Sequence, residues 1–264
     1  MILTLLVLFP SIANAMGDEI FREMMQKINS HDYGAVEMFL EKNRNAYGQD
    51  PEYYVILLNY SFAKGVQKQT VIAKGEPGKG DLSLRDSTTG EVVGFIGERS
   101  VPDDKLIVKS IRETKDALKY FNDRLDIHFG IVHIAFETKH WQILREQLLE
   151  ILKVSKSINN KWRWGPINSM HGDPKKFMLD NVQSKINGLF HIDSEEADQV
   201  VEAVSSAMIR EYPRVIYGCS DLGVLYLAQK KYDLAEKYLD QAFAIDPKDE
   251  IVRGNLKLLK EKRK

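Results

Sequence analysis

The chain has 264 residues, with 37 Lys+Arg against 38 Asp+Glu and a formal net charge of -1. That length gives one or two domains at roughly 150 residues each, and the charge balance supplies no global attraction to nucleic acid or an anionic membrane. With 44% hydrophobic and 28% charged residues the chain reads as globular, not disordered, and its single cysteine excludes an intramolecular disulfide and a multi-cysteine zinc site.

Residues 1–15, MILTLLVLFPSIANA, form an apolar run that closes on Ala13-Asn14-Ala15, a small-x-small cleavage pattern. The first charge in the chain is Asp18. A run this short does not cross a bilayer core of about 30 Å, which takes about 20 helical residues. The reading is therefore an export signal cleaved after Ala15, with the mature chain in a periplasm or outside the cell. Pro10 and the lack of a basic residue before the run are unusual for such a signal, and a buried N-terminal helix is the competing reading.

In 18–30, Ile20, Phe21, Met24, Met25 and Ile28 recur three and four residues apart behind an acidic first turn, which predicts a helix with one apolar face. After His31-Asp32 a second helix runs from about Tyr33 to Asn45 and buries Val36, Phe39 and Leu40. Pro51 opens a third, PEYYVILLNYSFAKG, ending at Gly65. It is apolar on nearly all sides and so belongs between neighbours. The period then changes. TVIAKG, DLSLRD and EVVGFIG, separated by turn formers, predict a β-hairpin insertion near 70–97 with room for a third strand. Helical period returns at Asp103 and runs to about Asp123. Further helices are expected at 126–137, 140–157, 173–190, 194–210, 213–229, 231–245 and 248–262, joined by short breaks as in stacked helical hairpins.

In 216–249, Leu222-Gly223 is followed by Tyr226, Tyr232, Ala235, Leu239, Ala242 and Pro247. Gly223 and Ala235 are small where two helices must approach, Tyr226, Tyr232 and Leu239 fill the space around that contact, and Pro247 ends the second helix. This segment resembles a tetratricopeptide repeat, a helix–turn–helix unit of 34 residues. Degenerate versions lie at 20–51 (Tyr33, Val36, Leu40, Pro51) and 126–154 (Ala135, Trp141, Leu144, Leu148). The resemblance implies an all-α, α-solenoid-like array of about eleven helices with the β-hairpin as an insertion. Its parts are 1–15 (signal), 16–66 (degenerate repeat helices), 67–101 (insertion) and 102–264 (array and capping helix). Repeats of this kind bind ligands on the first helix of each unit. That implies contacts at Tyr217, Ser220, Val224, Leu227 and Ala228, without the Lys, Asn and Arg of a carboxylate clamp. This apolar groove either holds a helix or strand of a partner or is filled by the chain's own helices at 173–210, the second being favoured because exposed apolar area of that size is a liability.

Other residues were weighed for chemistry. His133, Glu137 and His140, spaced four and three, would share one face of a continuous helix and could meet a divalent ion, which makes a metal-dependent hydrolase the alternative function. Against it, Thr138-Lys139-His140 reads as a turn. Gly75-Glu-Pro-Gly-Lys-Gly80 lacks the phosphate-binding pattern and reads as a loop leading into a strand. Trp162-Arg163-Trp164 is either an exposed hot spot for a partner or a plug with at least one ring buried. Cys219 reads as a buried small hydrophobe. No nucleophile elbow, Walker motif or dinucleotide fingerprint is present. The expectation is an exported, non-catalytic scaffold of a bacterial envelope or exterior, without cofactor, offering a curved helical surface to a protein or peptide.

Overall fold

A computed structural model describes residues 15–165, 170 and 172–264. The signal expected at 1–15 therefore lies outside the described residues except for Ala15. Contacts divide the chain into two compact units that meet at Phe121/Asn122. The described residues are mainly helical, with eleven α-helices and one three-stranded antiparallel sheet.

The first unit is organised on α3 (Pro51–Gly65), which packs against α1 (Asp18–Asn29), α2 (Tyr33–Tyr47) and α4 (Asp104–Ala117). The all-round apolar character of α3 is thereby used: Tyr53, Tyr54, Ile56, Leu57, Leu58 and Tyr60 are all buried. Asp50 caps it, accepting from the Glu52 amide at 2.8 Å, and Pro51 occupies the first turn. The insertion comprises β1 (Val66–Ala73), β2 (Leu82–Arg85) and β3 (Val92–Pro102) in the order β1-β3-β2, so the third strand allowed for in the sequence is present. β1 and β3 pair from Val66↔Pro102 to Ala73↔Phe95, and the Asp103 amide donates to Gly65 O at 2.7 Å where the chain re-enters the helices. The Gly75–Gly80 segment is the loop between β1 and β2, closed by Asp81, whose carboxylate accepts from the Gly78 amide and from both terminal nitrogens of Arg99 at 2.9 and 2.5 Å. The helix expected to reach Asp123 stops at Ala117 and tightens into a 3₁₀ turn at Leu118–Tyr120. Beyond it the backbone pairs instead with Arg163, whose amide donates to Asp123 O and whose carbonyl accepts from the Leu125 amide.

The second unit contains α5 (Leu125–Glu137), α6 (Trp141–Ser157), α7 (Pro174–Leu189), α8 (Glu195–Glu211), α9 (Tyr217–Ala228), α10 (Tyr232–Ile245) and α11 (Glu250–Lys262). α6 packs on α5 and α8, and α8, α9, α10 and α11 pack each on the next. α9 starts four residues later than expected because the chain turns at Pro213-Arg214, where the Val215 amide donates to Tyr212 O.

One three-residue turn joins a helix pair three times, and the same turn, with Asn159 left-handed at φ 53°, also closes α6 at Ile158-Asn159-Asn160. Ser30-His31-Asp32, Thr138-Lys139-His140 and Gln229-Lys230-Lys231 join α1 to α2, α5 to α6 and α9 to α10. Each has its middle residue left-handed, at φ 63, 58 and 58°. Each repeats the same three backbone hydrogen bonds into the preceding helix, such as Lys231 N to Tyr226 O and His140 N to Ala135 O. Counted from the left-handed residue, the second position is aromatic (Tyr33, Trp141, Tyr232). The fifth is fully buried (Val36, Leu144, Ala235), and the ninth is a buried leucine (Leu40, Leu148, Leu239). Identical turns thus place equivalent side chains at the same depth in each pair, which is a direct consequence of the 3.6-residue period.

Gly223 is the closest approach in the third pair. A Cβ there would lie 2.6 Å from Leu239 Cγ and Cδ2, so the small residue is required by the leucine and not by Ala235. Leu239 is fully buried and has nowhere to move. Gly223→Ala is therefore expected to destabilise the second unit by about 1–3 kcal/mol in spite of alanine's higher helix propensity. Urea unfolding followed by tryptophan fluorescence measures this, because Trp141, Trp162 and Trp164 are the chain's only tryptophans.

Candidate functional site

A cleft of about 460 Å³ opens at the N-terminal end of α9 and is lined in part by Tyr217. Asp173 caps α7 through the Lys175 amide at 2.9 Å and Pro174 fixes its first turn, so Lys175, Lys176, Leu179 and Asp180 are set along one wall. Arg214, Val215, Ile216 and Tyr217 form the second wall, and Ile245 and Asp246 at the end of α10 close the third. The lining mixes apolar side chains, Leu179, Val215, Ile216 and Ile245, with charged ones. Tyr217 donates its hydroxyl to Asp180 Oδ1 at 2.7 Å, and Lys176 binds Asp180 Oδ2 at 2.5 Å. The Lys176 ammonium, with help from Tyr217, holds the Asp180 carboxyl below its usual range. The Asp180 carboxylate raises the Tyr217 phenol, with burial acting in the same direction. Lys175 stands 5.5 Å from the centre of the Tyr212 ring and Lys156 stands 5.3 Å from it, a cation–π arrangement.

Of the expected contact residues, Tyr217 lines this cleft, whereas Ser220, Val224 and Leu227 continue along α9 outside its lining, half-buried, and Ala228 is exposed. The Trp162-Arg163-Trp164 motif is not a surface hot spot. Trp162 is only 2% exposed, donates its indole N–H to Ser155 Oγ at 3.0 Å and meets His128 edge-on. Arg163 is held by both oxygens of Asp123 at 2.5 and 2.7 Å. Trp164 is half-buried, edge-on to Phe177 at 5.1 Å. Of the two alternatives read from the sequence, the buried one describes Trp162, while Arg163 remains partly exposed beside the backbone bridge between Arg163 and Arg124.

The His133, Glu137 and His140 stripe is broken by the turn. His133 Nδ1 and Glu137 Oε1 are 3.9 Å apart on α5, while His140 lies beyond the left-handed Lys139 with Nδ1 2.7 Å from Thr138 Oγ1. Among the described residues no three His, Cys, Asp or Glu side chains converge as a metal site. Cys219 is buried, with Sγ 3.7 Å from Gln241 Oε1, and burial pushes its thiol up, which opposes formation of a nucleophilic thiolate.

Two buried ionisable groups were not singled out from sequence. Asp221, on α9 one turn beyond Tyr217, is 4% exposed and accepts from Gln183 Nε2 at 2.6 Å and Ser205 Oγ at 3.2 Å. It is therefore a second rung between α7 and α9, next to the Asp180–Tyr217 rung. Burial pushes its carboxyl up to about 7 against the pull of those two hydrogen bonds. The signal was available: Asp221 is the only charge in YGCSDLGVLYLA, a helix buried on several sides. His128, on α5, lies between Gln147 Nε2, 2.6 Å from Nδ1, and Asn122 O, 3.0 Å from Nε2. Burial pushes it down to about 4, so it is a neutral interior imidazole.

No family model matches the chain, and no curated protein matches it in sequence.

These two groups oppose each other in pH. An unfolded aspartate titrates near 4 and an unfolded histidine near 6.5. Asp221 thus contributes stability that is complete below about pH 4 and is lost as pH rises through about 7, while the His128 contribution is complete above about 6.5 and is lost as pH falls towards 4. Between these limits unfolding releases a proton from one and binds it on the other. Asp221→Asn removes one side of the exchange. The variant is expected to gain about 2–3 kcal/mol relative to the parent between pH 4.5 and 6.5, as measured by urea unfolding at intervals of one pH unit.

Proposed function

We propose that the chain is an exported, non-catalytic scaffold of the tetratricopeptide type, whose second unit offers the cleft at Tyr217 and the adjoining face of α9 to a peptide or protein. The observation that supports the proposal is the matching set of side chains in three helix pairs joined by one kind of turn, a turn that also closes α6 at Ile158-Asn159-Asn160. The three pairs joined by it are the segments in which the sequence placed one repeat and two degenerate ones, with Tyr33, Val36 and Leu40, Trp141, Leu144 and Leu148, and Tyr232, Ala235 and Leu239 at equivalent depths. A solenoid arrangement of the helices within the second unit is part of the proposal. It makes chemical sense of a site lined by apolar and charged side chains together, which binds by shape and desolvation without needing an activated group. A rigid site also spares the partner's segment most of the ordering cost on the protein's side.

Affinity capture from the native host tests this, with Tyr217→Glu and Leu227→Glu in one variant as the control. The wild-type chain is expected to retain a partner that the variant loses by tenfold or more, since two buried carboxylates would replace apolar contact area. Equal capture by both proteins would remove α9 as the binding face.

A further inference from the structure

The first described residues carry a contact that the folded unit does not otherwise require. Met16 is buried, and its backbone nitrogen lies 2.6 Å from Asp50 Oδ2, while Ala15 immediately before it is exposed. Asp50 is itself buried at the start of α3. Its other oxygen caps that helix through the Glu52 amide, and among the described residues no lysine, arginine or histidine pairs with it. A buried carboxylate satisfied only by neutral amides pays most of the desolvation cost of an ion without the return from an opposite charge. The Ala13-Asn14-Ala15 pattern, read independently, puts the scissile bond at the same nitrogen.

We infer that cleavage between Ala15 and Met16 creates the missing counter-ion: the new α-ammonium of Met16 forms a buried ion pair with Asp50 that locks α1 onto the start of α3. The inference rests on the export reading above. In the reaction, an export protease hydrolyses the Ala15–Met16 amide. Its C–N bond breaks, the hydroxyl of water goes to the Ala15 carbonyl carbon, and the released amine takes up protons to become an ammonium at neutral pH. The buried Met16 side chain keeps that amine where the amide had been, so the bond to Oδ2 is retained and becomes charge-assisted. The mature terminus is thus a structural ligand of the first unit, and an uncleaved or blocked chain lacks it. Gly17, which starts α1, supplies no side-chain cap, so Met16 is the helix's tether.

The test compares the chain beginning at Met16, released without a scar from a fusion tag, with the same chain carrying a Gly-Ser-Ala extension and with an Nα-acetylated Met16 form. Each is made with Asp50 and with Asp50→Asn, where asparagine keeps the helix cap. Hydrogen exchange of the α1 and α3 peptides reports on this unit, which has no tryptophan. Exchange is expected to be about 5- to 30-fold slower in the free-amine form than in the extended or acetylated forms. The advantage should vanish in Asp50→Asn and shrink as pH rises beyond the amine's range near 8. Equal exchange in the free and acetylated forms, or an advantage that survives Asp50→Asn, overturns the ion pair. Sequencing the native protein's N-terminus separates the two claims: a first residue other than Met16 overturns the cleavage and with it the inference, whatever the exchange shows.

Discussion

Helix α9 can exist only if its neighbours are already the right distance away. Gly218, Cys219, Asp221, Leu222, Gly223, Leu225 and Tyr226 are all buried in a helix of twelve residues, so it has contacts on more than one side. On one side a Cβ at Gly218 would meet the Ser205 carbonyl oxygen of α8 at 2.5 Å, and on another a Cβ at Gly223 would meet Leu239 of α10 at 2.6 Å. Two missing side chains therefore set the spacing of three helices. Close packing of this kind leaves no room to compensate, because interiors have crystal-like density and a shift at one contact is passed to the next. The cleft walls inherit their geometry from it, since Ile216 and Tyr217 begin α9 and Ile245 ends α10.

The polar interior of the second unit is arranged around neutral forms. Asp221 is supported by an amide and a hydroxyl and no cation, and His128 by an amide and a carbonyl. Where charges are kept, they are paired: Arg124 holds Asp126 through two bonds of 2.9 and 2.8 Å, and Arg163 holds Asp123 in the same bidentate way. Neutral donors and acceptors fix relative positions of helices at modest energy but with strict geometry, because an unmet buried partner is costly. Gln183 Nε2 serves both Asn187 and Asp221, which ties one turn of α7 to α9, while its Oε1 is buried without a hydrogen-bond partner among the described residues.

Periodic features were legible in the sequence because a helix that must bury a stripe advertises it every three or four residues. α1, α2 and α3 are found within two residues of their expected ends, and so are α5, α6, α7, α8, α10 and α11. Two ends were missed for reasons outside local pattern: α4 stops early where the following backbone pairs with Arg163, and α9 starts late at the Pro213 turn. The left-handed turns carry no glycine to announce them; histidine and lysine occupy those positions, and only the repeated spacing around them is a signal. Of the site, Tyr217 was legible through the repeat register. Lys175, Lys176 and Arg214 were not, because they come from α7 and a connecting segment that the repeat pattern does not include. Trp162 was left open between surface and interior because a tryptophan in a helix-poor stretch looks the same in either place; its backbone neighbour Arg163 is hydrogen-bonded to Asp123 and Leu125, and the ring is buried.

The charges around the cleft differ in how they are committed. Asp173 is spent on the α7 cap, Asp180 on Lys176 and Tyr217, and Asp246 accepts from the Lys248 amide at 2.9 Å. Among the described residues Lys175 has no carboxylate partner and rests against the Tyr212 ring, and the exposed Arg214 has no ion pair. The three acids and three bases that line the cleft, Asp173, Asp180 and Asp246 against Lys175, Lys176 and Arg214, balance in charge. The same arrangement is ill-suited to general acid–base work. Asp180 is held low and Tyr217 high, so both move away from neutrality, while Asp221, the one carboxyl brought near it, is sealed a turn below the opening.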